Sequence, residues 1–309
     1  MTQLKFGRKK ATEEQLKSVP KFAKYVRDVL PPVPSSVQNI AKVMAKTGIN
    51  DITQLFPMDG NDTVGDCGAA GAGHKTTEVT GQNGAVNIPS EQDVINFYYS
   101  QTGGQDTGLC LIDVLNFWLK NAVFGIQLKA YAAIDPKNHD HVKIAQELFG
   151  GLYIGFNVQE NAISDFQNGV TWTPGDLTGD GHCVVMEDSD NDTVTVLTWG
   201  NKQSGTWEWN DECVDEVYAL IFDDTAVIDG LDLQTLITDS QDISNGTYNV
   251  APIPQPEPTP TPTPTPDPTP IPSGHDTWFQ RIWDDIVRLF GQDFTPAQGH
   301  KWVDTHQKY

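Results

Sequence analysis

The run Pro252 to Pro272, PIPQPEPTPTPTPTPDPTPIP, constrains the architecture most strongly. Alternating proline and threonine offers few backbone N–H groups to a helix or sheet and almost nothing apolar to bury. It is expected to be an extended spacer, reaching about 60 to 70 Å at about 3.1 Å per residue. The chain should therefore divide into an N-terminal extension (1–40), a main domain (41–245), a Pro/Thr-rich linker (246–273) and a C-terminal segment (274–309). In that last segment Phe279, Ile282, Trp283, Ile286, Val287 and Phe290 fall at helical spacing, with Asp284, Asp285 and Arg288 elsewhere. An isolated amphipathic helix of this length is marginal in water, so its apolar stripe should pack on another part of the chain, dock a protein partner or anchor the chain to a surface.

The main domain reads as α+β. SEQDVINFYYSQ and IDVLNFWLKNAV space their apolar residues for helices, whereas LYIGFNV, HCVVME and TVTVLTW are short and β-rich. A helical half followed by a sheet half suggests two lobes. The extension joins a basic, helix-compatible stretch to LPPVPSS, where Pro31, Pro32 and Pro34 stop any helix.

The chain has 309 residues and 38% hydrophobic content, enough for a real core, and a formal charge of -21 disfavours nucleic acid and anionic lipid. No apolar run is long enough to span a bilayer, and MTQLKFGRKKATEEQ lacks the apolar stretch of a Sec signal. A cytoplasmic or virion-associated protein is expected ahead of a Sec-secreted one. Four scattered cysteines form neither a disulfide framework nor a metal knuckle. The acidic loops GDLTGDGH and DSDNDTV lack EF-hand spacing, so no metal or cofactor is expected.

In GNDTVGDCGAAGAGHKTTEV a turn-rich lead ends at Cys67, and small residues then open a helix. A thiol at a helix N-terminus has its thiolate stabilised by unpaired backbone N–H groups and the macrodipole. Its base must be near in space and rigidly held. His74 would lie two turns along the same helix and reads as structural. His139 and His141 fall in the polar stretch DPKNHDHVK, expected to be a loop, and His275, His300 and His306 lie beyond the spacer. That leaves His182, at the mouth of the β-rich HCVVME. Strand alternation should turn Cys183 to the opposite face, away from Cys67. Cys213 reads as core, and Cys110 has no assigned place.

These residues, with LPPVPSS, FPMDGNDTVGDC, LFGGLYIGFNV and VLTWGN...TWEW...DEVYALI, resemble the papain-like cysteine peptidases, in a divergent bacterial and phage branch, over about residues 29 to 222. The resemblance implies a two-lobed fold, with a helical lobe carrying the cysteine and a β-sheet or barrel lobe carrying the histidine. It also implies a protein or peptide substrate, with Cys67 as nucleophile and His182 as general base. At the family's oxyanion glutamine stands Asn61, whose other reading is a turn residue. The family's histidine-orienting asparagine falls on Leu197, which cannot hydrogen-bond a ring. Asn201 and Thr198 are the nearest replacements, or the site works as a dyad, and Trp199 would shield the histidine. Two other readings stand beside a peptidase. One is an NlpC/P60-type cell-wall amidase, suggested by Asp66-Cys67 and by Pro174 to Leu177. The other is a papain-like attachment module without turnover, such as a phage structural component. The extension would either cover the cleft as an inhibitory segment or pack across the lobes.

Overall fold

A computed structural model describes residues 4–27, 29–223, 225 and 227–248. Most of the expected Pro/Thr-rich linker and all of the segment 274–309, where a helix is expected, lie outside the described residues. The β-rich runs LYIGFNV and HCVVME fall in β5 (Leu152–Gln159) and β6 (Leu177–Ser189), at the centre of one antiparallel sheet. Around them lie β4 (Ala130–Ala133), β7 (Thr193–Thr198), β8 (Asn201–Thr206) and β9 (Val214–Ile221), in the order β4-β9-β5-β6-β7-β8. A short β2 (Val37–Gln38) joins β6. With the flanking helices this makes a mixed α+β protein. The runs are continuously apolar because the sheet is covered on both faces. Leu152, Ile154, Phe156 and Val158 enter one core with Trp172 and Trp209, while Tyr153, Cys183 and Val185 face another with Trp118 and Tyr218.

The second face is covered by the helix Cys67–Gln82, where burial falls on almost every residue and not on a stripe. Small residues make this close approach feasible. A Cβ on Gly71 would lie 2.8 Å from the Tyr153 ring, and the Tyr153 hydroxyl donates to the Gly68 carbonyl at 2.6 Å. The two helices expected from periodicity form as Glu91–Thr102, capped by Ser90 and closed by left-handed Gly103, and Leu111–Lys120.

One helical turn past Gly71, Lys75 and Glu78 are fully buried and bonded at 2.6 Å. Lys75 also donates to the carbonyls of Phe149 and Gly151, and Glu78 accepts the Gly151 N–H at 2.8 Å. Glu187 of β6 sits against Gly151 with both carboxylate oxygens unpartnered.

His139 and His141 do not lie in a loop. They open the helix His139–Phe149, because Asn138 caps it and Val142, Ile144 and Ala145 supply a buried face. His139 stacks on Trp207 and bonds Asp211 at 2.7 Å, and His141 meets the edge of Phe22.

The extension is only partly helical. Thr12 and Gln15 form a capping box for Glu13–Ser18, but residues 4–10 run extended as a strap. Lys5 donates to the Asn61 carbonyl at 3.0 Å and Leu109 donates to the Gly7 carbonyl at 2.8 Å. β1 (Arg8–Lys9) then pairs in parallel with β3 (Leu109–Cys110). At Gly7 an added Cβ would lie 1.7 Å from the Gly65 carbonyl oxygen, and one on Gly108 would lie 2.2 Å from the Gly7 oxygen. Three glycines thus let three backbones touch.

Candidate active site

Cys67 is the first residue of its helix and is 1% exposed. The backbone N–H groups of Cys183 and Gly7 favour its thiolate. Burial nevertheless pushes the thiol up to about 12, outweighing those N–H groups and the charge of Arg8. The helix N-terminus was expected to favour thiolate. Under the strap, desolvation wins and the thiol is protonated.

His182 lies on β6 opposite Phe156, also 1% exposed, and lines the same small cavity as Cys67, Asn61 and Trp199. At about 10 Å³ that cavity is no roomier than a single water requires. Nε2 shares a 2.8 Å hydrogen bond with the Thr198 hydroxyl, and Nδ1 has no partner among the described residues. Burial pushes the imidazole down to about 3, so the ring is neutral. Trp199 stacks on it at 4.7 Å and 18°, with the edges of Phe6 and Phe156 at 5.5 and 5.6 Å. Trp199 and Gly200 form the two-residue turn between β7 and β8 at φ 47° and 71°. A left-handed tryptophan costs about 1 to 3 kcal/mol, a strain that here sets the indole flat on the histidine.

Asn61 is 3% exposed beside the thiol, its amide donating to the Val64 carbonyl over a long 3.4 Å. Asn201 is not brought to the ring. It sits exposed at the start of edge strand β8, its Oδ1 accepting the Lys202 N–H. Thr198 therefore holds the imidazole alone among the described residues. Thr198→Val keeps the shape but removes the hydroxyl, and should cost about 1 to 3 kcal/mol in urea denaturation, with Thr198→Ser restoring most of it. Equal stability of the valine variant would show that the bond contributes nothing.

Cys183 corrects one expectation. Alternation does turn it away from His182, but the face it joins is the one covered by the Cys67 helix. Its sulfur lies 3.4 Å from where a Gly71 Cβ would be, in the same core as Cys67. Cys110 ends β3 and caps the helix Leu111–Lys120.

No protein-family model matches the sequence, and no curated protein does. Among solved structures the chain is similar to xylellain, a cysteine protease from Xylella fastidiosa, at TM-score 0.48 and 11% identity, covering 71% of this chain and 96% of that one. It is also similar to digestive procathepsin L 3 of Tenebrio molitor larval midgut, at 0.44 and 11%, over 66% and 76% of the two chains. A structure concerning the mite allergens Blo t 1 and Der p 1 gives 0.43 and 11%, over 68% and 82%. At these scores the likeness is partial.

Three residues around the site have no role assigned there by the sequence, although Asp66 belongs to the Asp66-Cys67 pair that suggests an amidase. Asp59 and Asp66 are buried beneath the Cys67 loop and pushed up to about 8, by desolvation first. Asp66 lies near the Asn61 amide, yet neither of its oxygens completes a hydrogen bond. Phe6 is the third, since only the folded chain brings it to His182.

Proposed function

We propose that the chain is a papain-like cysteine peptidase held latent by its own N-terminal strap, with Cys67 as nucleophile and His182 as base. The observation that carries this reading is one cavity lined by a helix-N-terminal cysteine and a histidine whose Nε2 is held by Thr198 and whose Nδ1 is unpartnered. With the proton on Nε2, Nδ1 keeps a lone pair for the thiol proton. Thiolate attack on a peptide carbonyl then gives a tetrahedral oxyanion, received by the Cys67 backbone N–H and the Asn61 amide once that amide leaves Val64. Collapse expels the amine with the proton from His182, and water hydrolyses the thioester with the same ring as base. In this reading the helical and sheet-bearing parts are two lobes meeting at the cavity, and Trp199 keeps water from the ring.

The burial of both groups gives a non-catalytic scaffold its one supporting observation. A single comparison separates the readings. Wild-type protein and Cys67→Ala are incubated with denatured casein and with purified peptidoglycan, and released ends are counted. Peptide ends from casein that fall at least about a thousandfold in the variant are expected. Ends from peptidoglycan alone would point to a cell-wall amidase. Equal, background release by both proteins, after the strap has been opened as described below, would leave only the scaffold.

A further inference from the structure

The strap carries a side chain placed as a substrate's would be. Gly7 packs against the backbone of Gly65, two residues before Cys67, so Arg8 is the next residue along a chain passing the loop that carries the nucleophile. The Arg8 side chain is 1% exposed. Its Nε and one terminal nitrogen lie 3.0 and 2.6 Å from Glu216 Oε1, and the guanidinium also bonds Asp215. The floor beneath it is bare backbone, since a Cβ on Gly155 would come within 2.4 Å of Arg8 Nε. The two acids are fixed from behind. The Tyr218 hydroxyl donates to Glu216 Oε2 at 2.8 Å, and the Asn157 amide donates to Asp215 Oδ2 at 3.2 Å.

Among the described residues, every cation paired with these two acids belongs to the N-terminal segment. Glu216 is paired with Arg8, and Asp215 with Arg8 and with Lys10 at 3.0 Å. Lifting the strap would leave a pre-oriented carboxylate pair, one member buried, with no counter-charge. A buried carboxylate without a partner is costly, so such a pocket favours any chain that returns a cation to it.

We infer that the displaced strap exposes a pocket, walled by Asp215 and Glu216 over Gly155, that takes a basic side chain of the substrate and makes the enzyme selective for arginine- or lysine-containing peptides. On the peptidase reading above, on which this depends, Arg8 is the built-in occupant of that pocket. Arginine should be preferred to lysine, because two nitrogens of one fork already meet the acids here.

The test uses the full chain and Gly7→Val, whose side chain would run into the Gly65 backbone. Dipeptidyl acyloxymethyl ketones carrying Arg, Lys, norleucine or Glu, at the first or second position from the warhead, are allowed to label Cys67. Labelling is followed by mass spectrometry, with iodoacetamide as the neutral control. At one of the two positions the Arg probe should label at least about tenfold faster than norleucine, with Glu slowest. Glu216→Gln should reduce that ratio to near unity. The ratio is read equally in the wild-type chain over longer incubation, which serves if Gly7→Val does not fold. Reaction of Cys67 at equal rates with all four probes would reject the basic pocket and leave the thiol hydrolase standing. A preference that survives Glu216→Gln together with Asp215→Asn would likewise reject these acids as its source. A Cys67 inert to every probe and to iodoacetamide would overturn the peptidase reading, and the pocket with it.

Discussion

Gly7→Val is expected to raise the alkylation rate of Cys67 at pH 8 by about a thousandfold, because lifting the strap would return water to a thiol that burial keeps protonated. In the closed chain burial lifts the thiol from an ordinary 9.0 to about 12. Thiolate is the reacting form, so returning the group to its ordinary value multiplies the thiolate fraction about tenfold for each unit recovered. The added side chain cannot be accommodated by a rotamer change, since Gly65 backbone stands where the Cβ itself would lie. The sign of the pH dependence follows. Wild-type alkylation should climb tenfold per pH unit through pH 10 without levelling, whereas the variant should level off near or below pH 9. A folded Gly7→Val protein, judged by near-ultraviolet circular dichroism, that alkylates at the wild-type rate would show that the strap does not govern the thiol.

The sequence suggests an extension that covers the cleft or packs across the lobes, but not the contacts its first residues make. LKFGRKK has no periodicity, and its roles come from separate distant partners: Phe6 meets His182, Gly7 meets Gly65 and Gly108, and Arg8 meets Glu216. None of these pairings leaves a trace in local pattern. By contrast, the start of the Cys67 helix, β5, β6 and β7 were legible. Small residues after a turn and short apolar runs are local signals, and the structure places elements there. Thr198 and Asn201 looked equivalent in sequence and are not in space. The two-residue turn at Trp199 and Gly200 puts Asn201 on the edge strand β8, one strand further from β6 than Thr198. The face of Cys183 was deduced correctly and its neighbourhood wrongly, because alternation names a face but not the helix that covers it.

Lys75→Met should cost about 3 to 5 kcal/mol, the largest stability loss expected of a single side chain here. Lys75 is buried with Glu78, and its ammonium also serves the carbonyls of Phe149 and Gly151, so its removal strands a carboxylate and two backbone acceptors. Glu187 faces the same cluster from β6. Burial first, and then the charge of Glu78, hold its carboxyl well above the ordinary 4.5, with Lys75 pulling the other way. Its two unpartnered oxygens fit a group that keeps its proton. A folded chain retaining a proton that the unfolded chain releases is most stable below the unfolded value. It loses that advantage as pH rises toward the folded one, at up to about 1.4 kcal/mol per pH unit. Glu187→Gln cannot titrate, so between pH 5 and 8 its urea midpoint should fall less steeply than that of wild type. The combined variant Lys75→Met, Glu78→Gln, Glu187→Gln should recover much of the loss, since a buried charge cluster is costly mainly when broken. Parallel pH profiles for Glu187→Gln and wild type would mean that Glu187 is already ionised in the fold, and that Lys75 balances both acids at once.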